Sequence, residues 1–159
     1  MIVVSDTTPL HYLILVDEVD LLPQLLGEIL IPEIVYLELS AEKTPDKIKS
    51  YLKHKPDWLS IRQPTRVIDP QLMDIDPGER EAILLAEELS ADGILIDDLE
   101  GRLIAIDRGL RVLGTLGLLE QAADAELVDF IDALDRIKAA GFFISKWLEN
   151  DLRSKHIRG

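Results

Sequence analysis

The stretch Ile2-Val3-Val4-Ser5-Asp6-Thr7-Thr8-Pro9 decides how the fold begins. Its three consecutive apolar residues, rich in β-branched side chains, predict a buried strand over 2–4. Polar residues that favour turns follow the strand, and Thr8 and Pro9 suit the start of a helix as its N-cap and first-turn residue. Asp6 is therefore expected just beyond the carboxyl end of a strand.

The same succession of strand, turn and helix recurs along the chain. Further short apolar segments lie at 28–31, 59–61, 93–96 and 111–113. The first of these also fits the approach to a helix. Strands that alternate with helices favour a mainly parallel sheet covered on both faces. We expect a three-layer α/β/α fold in a single domain over 1–159, with an α/β core at 1–122 and a C-terminal helical extension at 123–159.

The composition narrows the possible chemistry. The 159 residues include 47% hydrophobic residues and no cysteine, which excludes disulfides and thiolate metal sites. The three histidines are scattered without the spacing of a zinc site. Any bound metal must therefore be a hard cation that is held by oxygen atoms.

The chain is strongly acidic, with a formal net charge of −13 at pH 7. This charge argues against general affinity for nucleic acid, which depends on Lys and Arg near phosphates. It does not exclude a hydrolase of polyanions, because a bound cation inverts the local field. With neither a secretory signal nor an apolar run of the roughly 20 residues that span a bilayer, we expect a cytoplasmic protein without membrane contact.

Acidic residues follow two of the predicted strands. Asp6 leaves the first strand, and Asp97 and Asp98 leave the strand at 93–96. Ligands of open α/β sheets bind in the crevice beyond the carboxyl ends of the strands. If the two strands are neighbours, these acids converge from distant parts of the chain.

Two glutamates are further candidates because they border apolar helix faces. Glu38 lies three and four residues from Val35 and Ile34, and Glu81 lies four residues before Leu85. Carboxylates are rarely buried unless they are paired or bind a metal. A divalent ion relieves the repulsion within such a cluster, and oxygen ligands alone favour Mg²⁺ or Mn²⁺.

Four segments, taken in order, resemble the acidic motifs of PIN domains. They are VSDTTPL at 4–10, PEIVYLEL at 32–39, GEREAI at 78–83 and LIDD at 95–98. The sequence GTLG at 114–117, after the last strand, is similar to a prokaryotic PIN-like subgroup whose members mostly lack an assigned function. The resemblance spans about residues 1–120.

The resemblance implies a role for the acids of the first, second and fourth motifs. Asp6 would be the central metal ligand, and Glu38 and Asp98 would complete the first metal site, directly or through water. Many PIN domains have Ser, Thr or Asn beside the fourth acid, whereas this chain has Asp97. Either Asp97 or Asp98 is therefore expected to contact the metal.

The third motif leaves two choices. Its acidic position falls to Glu81, which would complete the catalytic set, with Glu79 as a rival. From the residues alone, Glu79 also fits a capping box with Asp76 at the start of a helix. Thr7 would orient the first acid or a bound water, and Thr115 would support the site.

The function that the resemblance implies is a Mg²⁺- or Mn²⁺-dependent endoribonuclease, similar to the toxins of type II toxin–antitoxin pairs. RNA, a cognate antitoxin and a second copy of the chain in a homodimer would be its partners. The alternative is a non-catalytic PIN-like module that binds RNA or protein. A hydrolase of small phosphoesters would use the same metal site, because a fold does not specify its substrate.

Two other sets of residues have both a structural and a functional interpretation. The densest basic stretch supplies either a solvated helix face or an RNA-binding track beside the acids. It contains Lys43, Lys47, Lys49, Lys53 and Lys55.

Phe142, Phe143 and Trp147 most simply form the core of the C-terminal extension, and otherwise fit a dimer or partner surface.

Overall fold

One five-stranded parallel sheet organises the computed structural model of this chain. Its strands, in chain order, are β1 (Ile2–Ser5), β2 (Glu28–Ile31), β3 (Leu59–Ile61), β4 (Gly93–Leu95) and β5 (Val112–Leu113). In space they follow the order β3-β2-β1-β4-β5. The structure describes residues 1–65 and 69–157. The prediction of a parallel sheet is confirmed, and the segment at 28–31 is a strand.

The direction in which the sheet grows reverses at β1. The chain adds β2 and β3 on one side of β1, and then β4 and β5 on the other. At the end of β1, Ser5 is in register with Leu95, and the N–H of Asp6 donates to the Leu95 carbonyl at 2.9 Å. β1 and β4 are therefore neighbours, as convergence of the acids requires. Open α/β sheets form their ligand crevice at such a reversal point.

Helices cover both faces of the sheet. They are α1 (Thr7–Leu15), α2 (Leu21–Leu26), α3 (Glu33–Leu39), α4 (Asp46–Lys53), α5 (Pro77–Glu88), α6 (Leu99–Asp107), α7 (Thr115–Asp124), α8 (Phe130–Ala139) and α9 (Lys146–Lys155). Successive strand side chains point to opposite faces. Val3 and Ile29 accordingly share a core with α1–α4 and α7–α9, whereas Val4 and Leu30 share one with α5 and α6. The three-layer α/β/α prediction is confirmed.

The C-terminal extension packs on the same face of the sheet as α1. Its predicted start at residue 123 lies within the last turn of α7, which ends at Asp124. Phe142 packs edge-on against Tyr12 with ring centroids 5.2 Å apart. Phe143 and Trp147 are 86% and 75% exposed, so the expectation that these aromatics form core is wrong for both. Within the described residues, no helix has the length and apolar character needed to span a membrane.

Candidate functional site

Asp6 is buried just beyond β1. Only 5% of the residue is exposed, and its Oδ1 has no hydrogen-bond partner among the described residues. Burial raises the pKa of Asp6 to about 7, against the effect of the Thr7 backbone N–H. The charges of Asp76, Glu38 and Asp97 contribute to this rise after burial. A buried carboxylate oxygen without a partner requires either a proton or a cation.

Glu38 reaches the same space from α3. Its Oε2 accepts a 2.7 Å hydrogen bond from the Thr7 hydroxyl, and its backbone carbonyl accepts one from Thr44 at 2.9 Å. Burial raises the pKa of Glu38, the Thr7 hydrogen bond lowers it, and the charge of Asp76 raises it. We expected Thr7 to orient Asp6 or a water. Its backbone N–H acts on Asp6, and its hydroxyl fixes Glu38, because the first turn of α1 lies beside α3.

Glu79 is the acid that α5 contributes to the cluster. It is 5% exposed, and its Oε1 lacks a hydrogen-bond partner in the described part of the chain. Burial, and then the charges of Asp98 and Asp6, raise the pKa of Glu79 to about 8. Asp76 caps α5 through the Gly78 N–H at 3.0 Å. Since Glu79 is turned toward Asp98, it is a member of the site and does not complete a capping box.

Glu81 lies elsewhere on α5. Two helical positions correspond to a rotation of about 200°, so Glu79 and Glu81 point to nearly opposite sides of the helix. Both are buried, because α5 is covered on most of its circumference. The charges of Asp98 and Asp6 act on Glu79, so the structure brings Glu79, the rival candidate, into the cluster. The assignment of Glu81 to the third acidic position stays a prediction.

Asp97 and Asp98 both follow β4 but have different surroundings. Asp97 accepts two hydrogen bonds from Thr115, from the N–H to Oδ1 at 2.8 Å and from the hydroxyl to Oδ2 at 2.6 Å. Burial raises the pKa of Asp97, while these bonds and the charge of Arg102 lower it. Asp98 is exposed and caps α6 through a 3.4 Å contact with the Gly101 N–H. Asp97 is thus held by the protein itself, and Asp98 is more accessible.

Asp76 belongs to the cluster although the sequence indicated only a helix cap. A Cβ placed on Gly78 would lie 3.1 Å from each of three oxygens, Asp6 Oδ1, Glu38 Oε1 and Asp76 Oδ2. These oxygens therefore surround one small space at the start of α5. The available signal was Gly78, since glycine is unfavourable within helices and is often kept where another group approaches closely.

Helix N-termini face the cluster from several directions. Asp6, Asp76 and Asp98 are the N-cap residues of α1, α5 and α6. Asp97 accepts from the first N–H of α7. The partial positive charge at these helix ends stabilises carboxylates.

The basic stretch at 43–55 is centred on α4, which packs against α1 and α3. Lys47 forms an ion pair with Asp17 at 2.9 Å, and Lys49 forms one with Asp46 at 3.4 Å. These pairs are at least partly exposed and contribute little to stability. Both lysines can therefore exchange these partners for other anions.

The other lysines of this stretch lie nearer its ends. Lys55 donates to the Leu59 carbonyl at 3.0 Å, and Lys43 and Lys53 are exposed. Lys43 immediately precedes Thr44, whose hydroxyl is bonded to the backbone of Glu38. The Thr44 hydrogen bond thus holds one end of the basic stretch next to Glu38. The role of the basic stretch in RNA binding stays a prediction.

The donor atoms of the cluster suit a hard divalent cation. Asp6 Oδ1 and Glu79 Oε1 are buried without partners among the described residues, and all the candidate ligand atoms are oxygens, as Mg²⁺ and Mn²⁺ prefer. Over residues 1–65 and 69–157, no three His, Asp or Glu side chains are arranged to hold one ion as they stand. Bridging waters, which Mg²⁺ commonly retains, would have to complete its coordination.

The chain is thus a parallel α/β domain that buries carboxylates at the point where the strand order reverses. This arrangement is typical of proteins that bind a cation through carboxylates. The chain belongs to the PIN-domain family, because the family model DUF3368, described as a PIN domain, matches residues 2–157. The PIN domain is generally a nuclease fold, and PIN domains typically use divalent metal ions. The resemblance found in the four sequence motifs is confirmed.

A solved structure shows the same fold. A PilT N-terminus domain protein from the hyperthermophilic archaeon Sulfolobus solfataricus P2 is similar to this chain with a TM-score of 0.55 and 15% sequence identity. The match covers 77% of this chain and 93% of that protein. At this identity the likeness concerns the fold. No curated protein matches the sequence.

Proposed function

We propose that this chain is a Mg²⁺- or Mn²⁺-dependent endoribonuclease that hydrolyses phosphodiester bonds of single-stranded RNA. The observation that carries the proposal is the pair of buried oxygens, Asp6 Oδ1 and Glu79 Oε1, that have no partner in the described residues. An unsatisfied buried group of this kind destabilises a fold by about 1–3 kcal/mol, and by more when it is charged. A cation at the site would remove this penalty.

The residues that would hold the cation, directly or through water, are Asp6, Glu38, Glu79 and Asp98. When bound, a divalent cation polarises the phosphate and makes a coordinated water more acidic. Asp97 is a positioning residue in this scheme, since Thr115 donates to both of its oxygens. Thr7 keeps the Glu38 carboxylate turned toward the cluster.

The RNA path is proposed to follow a groove beside the cluster. The groove, of about 400 Å³, lies between Asp97 and the C-terminal extension, with Arg102 and Phe143 among its lining residues. An exposed aromatic ring supports stacking of an unpaired base, and a guanidinium supports a phosphate contact. Near Glu38, the basic stretch at 43–55 would add phosphate contacts that weaken with salt.

A toxin role with a cognate antitoxin, and a homodimeric state, follow from the resemblance to PIN-domain toxins and stay predictions. The chain offers a surface for a protein partner on α6, where Leu99, Leu103 and Ile106 are all more than half exposed. These residues are four and three positions apart and so lie on one helix face. Exposed apolar stripes of this kind support protein–protein contact.

Cleavage of an end-labelled single-stranded RNA tests the proposed activity. The protein should cleave the RNA with Mn²⁺ and not with EDTA, and Asp6→Asn should lower the rate about a hundredfold or more. Asp124→Asn, at the opposite end of α7 from the cluster, is the matched control and should cleave normally. RNA binding of equal affinity in the protein and in Asp6→Asn, without cleavage by either, would favour the non-catalytic binding module.

A further inference from the structure

Gly78 has no conformational reason to be glycine. It is the second residue of α5, and its φ is not among the positive values of the chain. Alanine is the better helix former at such a position. The missing side chain is what matters, because a Cβ would lie 3.1 Å from Asp6 Oδ1, Glu38 Oε1 and Asp76 Oδ2.

Asp76 carries more charge than a helix cap requires. Its Oδ2 accepts the Gly78 N–H at 3.0 Å, a role that asparagine fills equally well. Its charge raises the pKa of Asp6, Glu38 and Glu79 alike. Although the positive end of α5 favours an anion, a further carboxylate beside these three is unfavourable until a cation neutralises them.

A separate observation points to a ligand in this space. Asp6 is only 5% exposed, and its Oδ1 has no hydrogen-bond partner among the described residues. This oxygen is the same one that lies 3.1 Å from the Cβ position of Gly78. A buried oxygen without a partner is thus aimed into the space that Glu38 and Asp76 also face.

We propose that Asp76 is a further cation-binding residue, and that Gly78 keeps open the space in which Asp6, Glu38 and Asp76 share a divalent cation or its bound water. The inference rests on the proposed function for the class of cation. It extends the site to the acid that caps α5. It also accounts for the local sequence, in which a cap that can serve as a ligand is followed, two positions later, by a residue without a side chain.

Calorimetric titration of the full chain with Mn²⁺ tests the inference. Asp76→Asn keeps a helix cap and removes one charge, whereas Gly78→Ala adds one methyl group and removes no ligand. Each should weaken Mn²⁺ binding about tenfold or more, the range seen when metal-site residues are lost. Asp74→Asn removes the same charge from a residue two positions earlier, which is exposed as Asp76 is but neither faces Gly78 nor raises the pKa of Asp6. It should leave the affinity within about twofold.

The melting temperature without metal separates a lost ligand from a lost fold. Asp76→Asn should melt at or above the temperature of the unmodified protein, because it relieves repulsion and retains the cap. If Gly78→Ala fails to fold, the Mn²⁺ affinity of Asp76→Asn decides the question alone.

The outcomes distinguish this inference from the proposed function. Unchanged Mn²⁺ affinity in folded Asp76→Asn and Gly78→Ala would overturn the inference even if the protein cleaves RNA. Weakened Mn²⁺ binding in both variants of a protein that cleaves no RNA would support the inference and remove only the nuclease activity. Failure of the unmodified protein to bind Mn²⁺ would overturn both.

Discussion

The backbone N–H and the hydroxyl of Thr115 both donate to Asp97, at 2.8 Å and 2.6 Å. These bonds join the first turn of α7 to the end of β4 and engage both oxygens of one carboxylate. They give two adjacent acids different surroundings. Asp97 is bonded to α7, whereas Asp98 is exposed and lies close enough to Glu79 to raise its pKa.

Removal of the Thr115 hydroxyl should destabilise the fold. Thr115→Val keeps the shape of the side chain but leaves Asp97 Oδ2 without this partner, so the free energy of unfolding should fall by about 1–3 kcal/mol. Thr115→Ser retains the hydroxyl and should recover most of that loss. Urea unfolding at pH 7 measures both variants. Equal stability of the Val and Ser variants would show that the hydroxyl bond contributes nothing.

A methyl group at Gly101 should disturb the packing of α6 on α5. A Cβ there would lie 2.5 Å from Glu79 Oε1 and 2.7 Å from Ile96 Cδ1. Gly101→Ala should therefore lower the free energy of unfolding by about 1–3 kcal/mol, as overpacking does, although alanine favours helix. The loss should be smaller in a Glu79→Ala background, where one of the two clashes is absent. A Gly101→Ala protein that is more stable than its parent would contradict this close approach.

The sequence was informative about the acids at strand ends. Asp6 and the pair at 97–98 were predicted correctly to lie at one edge of the sheet, because parallel strands place their carboxyl ends together. Short polar turns follow buried strands directly, so the position of each acid is fixed to within a residue. This part of the prediction needed only the neighbouring placement of β1 and β4.

The acids on helices were harder to predict because the sequence does not specify how a helix is rotated about its axis when it packs. We favoured Glu81 on the ground that it borders an apolar stripe, but α5 is buried on most of its circumference. Such a helix has no single apolar edge, so the pattern cannot identify which glutamate faces the cleft. Glu79 was discounted because it fitted a capping box, whereas Asp76 caps α5 through the Gly78 N–H. The packing of α5 places Glu79 in the cluster, and a role for Glu81 stays a prediction.

Stability without metal should fall as the pH rises from about 4 to about 8. Burial raises the pKa of Asp6 from 3.8 to about 7 and that of Glu79 from 4.5 to about 8. The ordinary pKa values apply to the unfolded chain and the raised ones to the folded protein. At a pH between them the folded protein binds more protons than the unfolded chain, so raising the pH favours unfolding. Below pH 3.8 both carboxyls are mainly protonated in the folded and the unfolded protein alike, so they do not change the stability. The full loss of stability is reached only above about pH 8.

Melting temperatures in EDTA over this pH range measure the effect. Glu79→Gln removes the group with the higher pKa, and its melting temperature should decline less between pH 6 and pH 8. Glu100→Gln, which neutralises an exposed acid of α6, should decline as the unmodified protein does. A melting temperature that rises from pH 5 to pH 8 in the unmodified protein would contradict the burial of two ionisable carboxyls without a cation.

Loss of the Phe143 ring should weaken binding of single-stranded RNA. The ring is 86% exposed and lines the groove that begins at Asp97. Stacking of one base on an aromatic ring contributes about 1–3 kcal/mol, so Phe143→Ala in an Asp6→Asn background should raise the Kd about fivefold or more. Trp147→Ala removes another exposed ring, which is not among the residues that line this groove. Equal losses for the two variants in fluorescence anisotropy would place the RNA elsewhere.

The most direct measurement is the anomalous scattering of a crystal of the protein soaked in Mn²⁺. We expect an anomalous peak in ligand contact with Asp6 Oδ1, with Glu79 and Asp98 as further ligands, directly or through water, and no such peak in crystals of Asp6→Asn. Mn²⁺ bound only at other surface acids, with Asp6 and Glu79 left as they are in the metal-free protein, would contradict it.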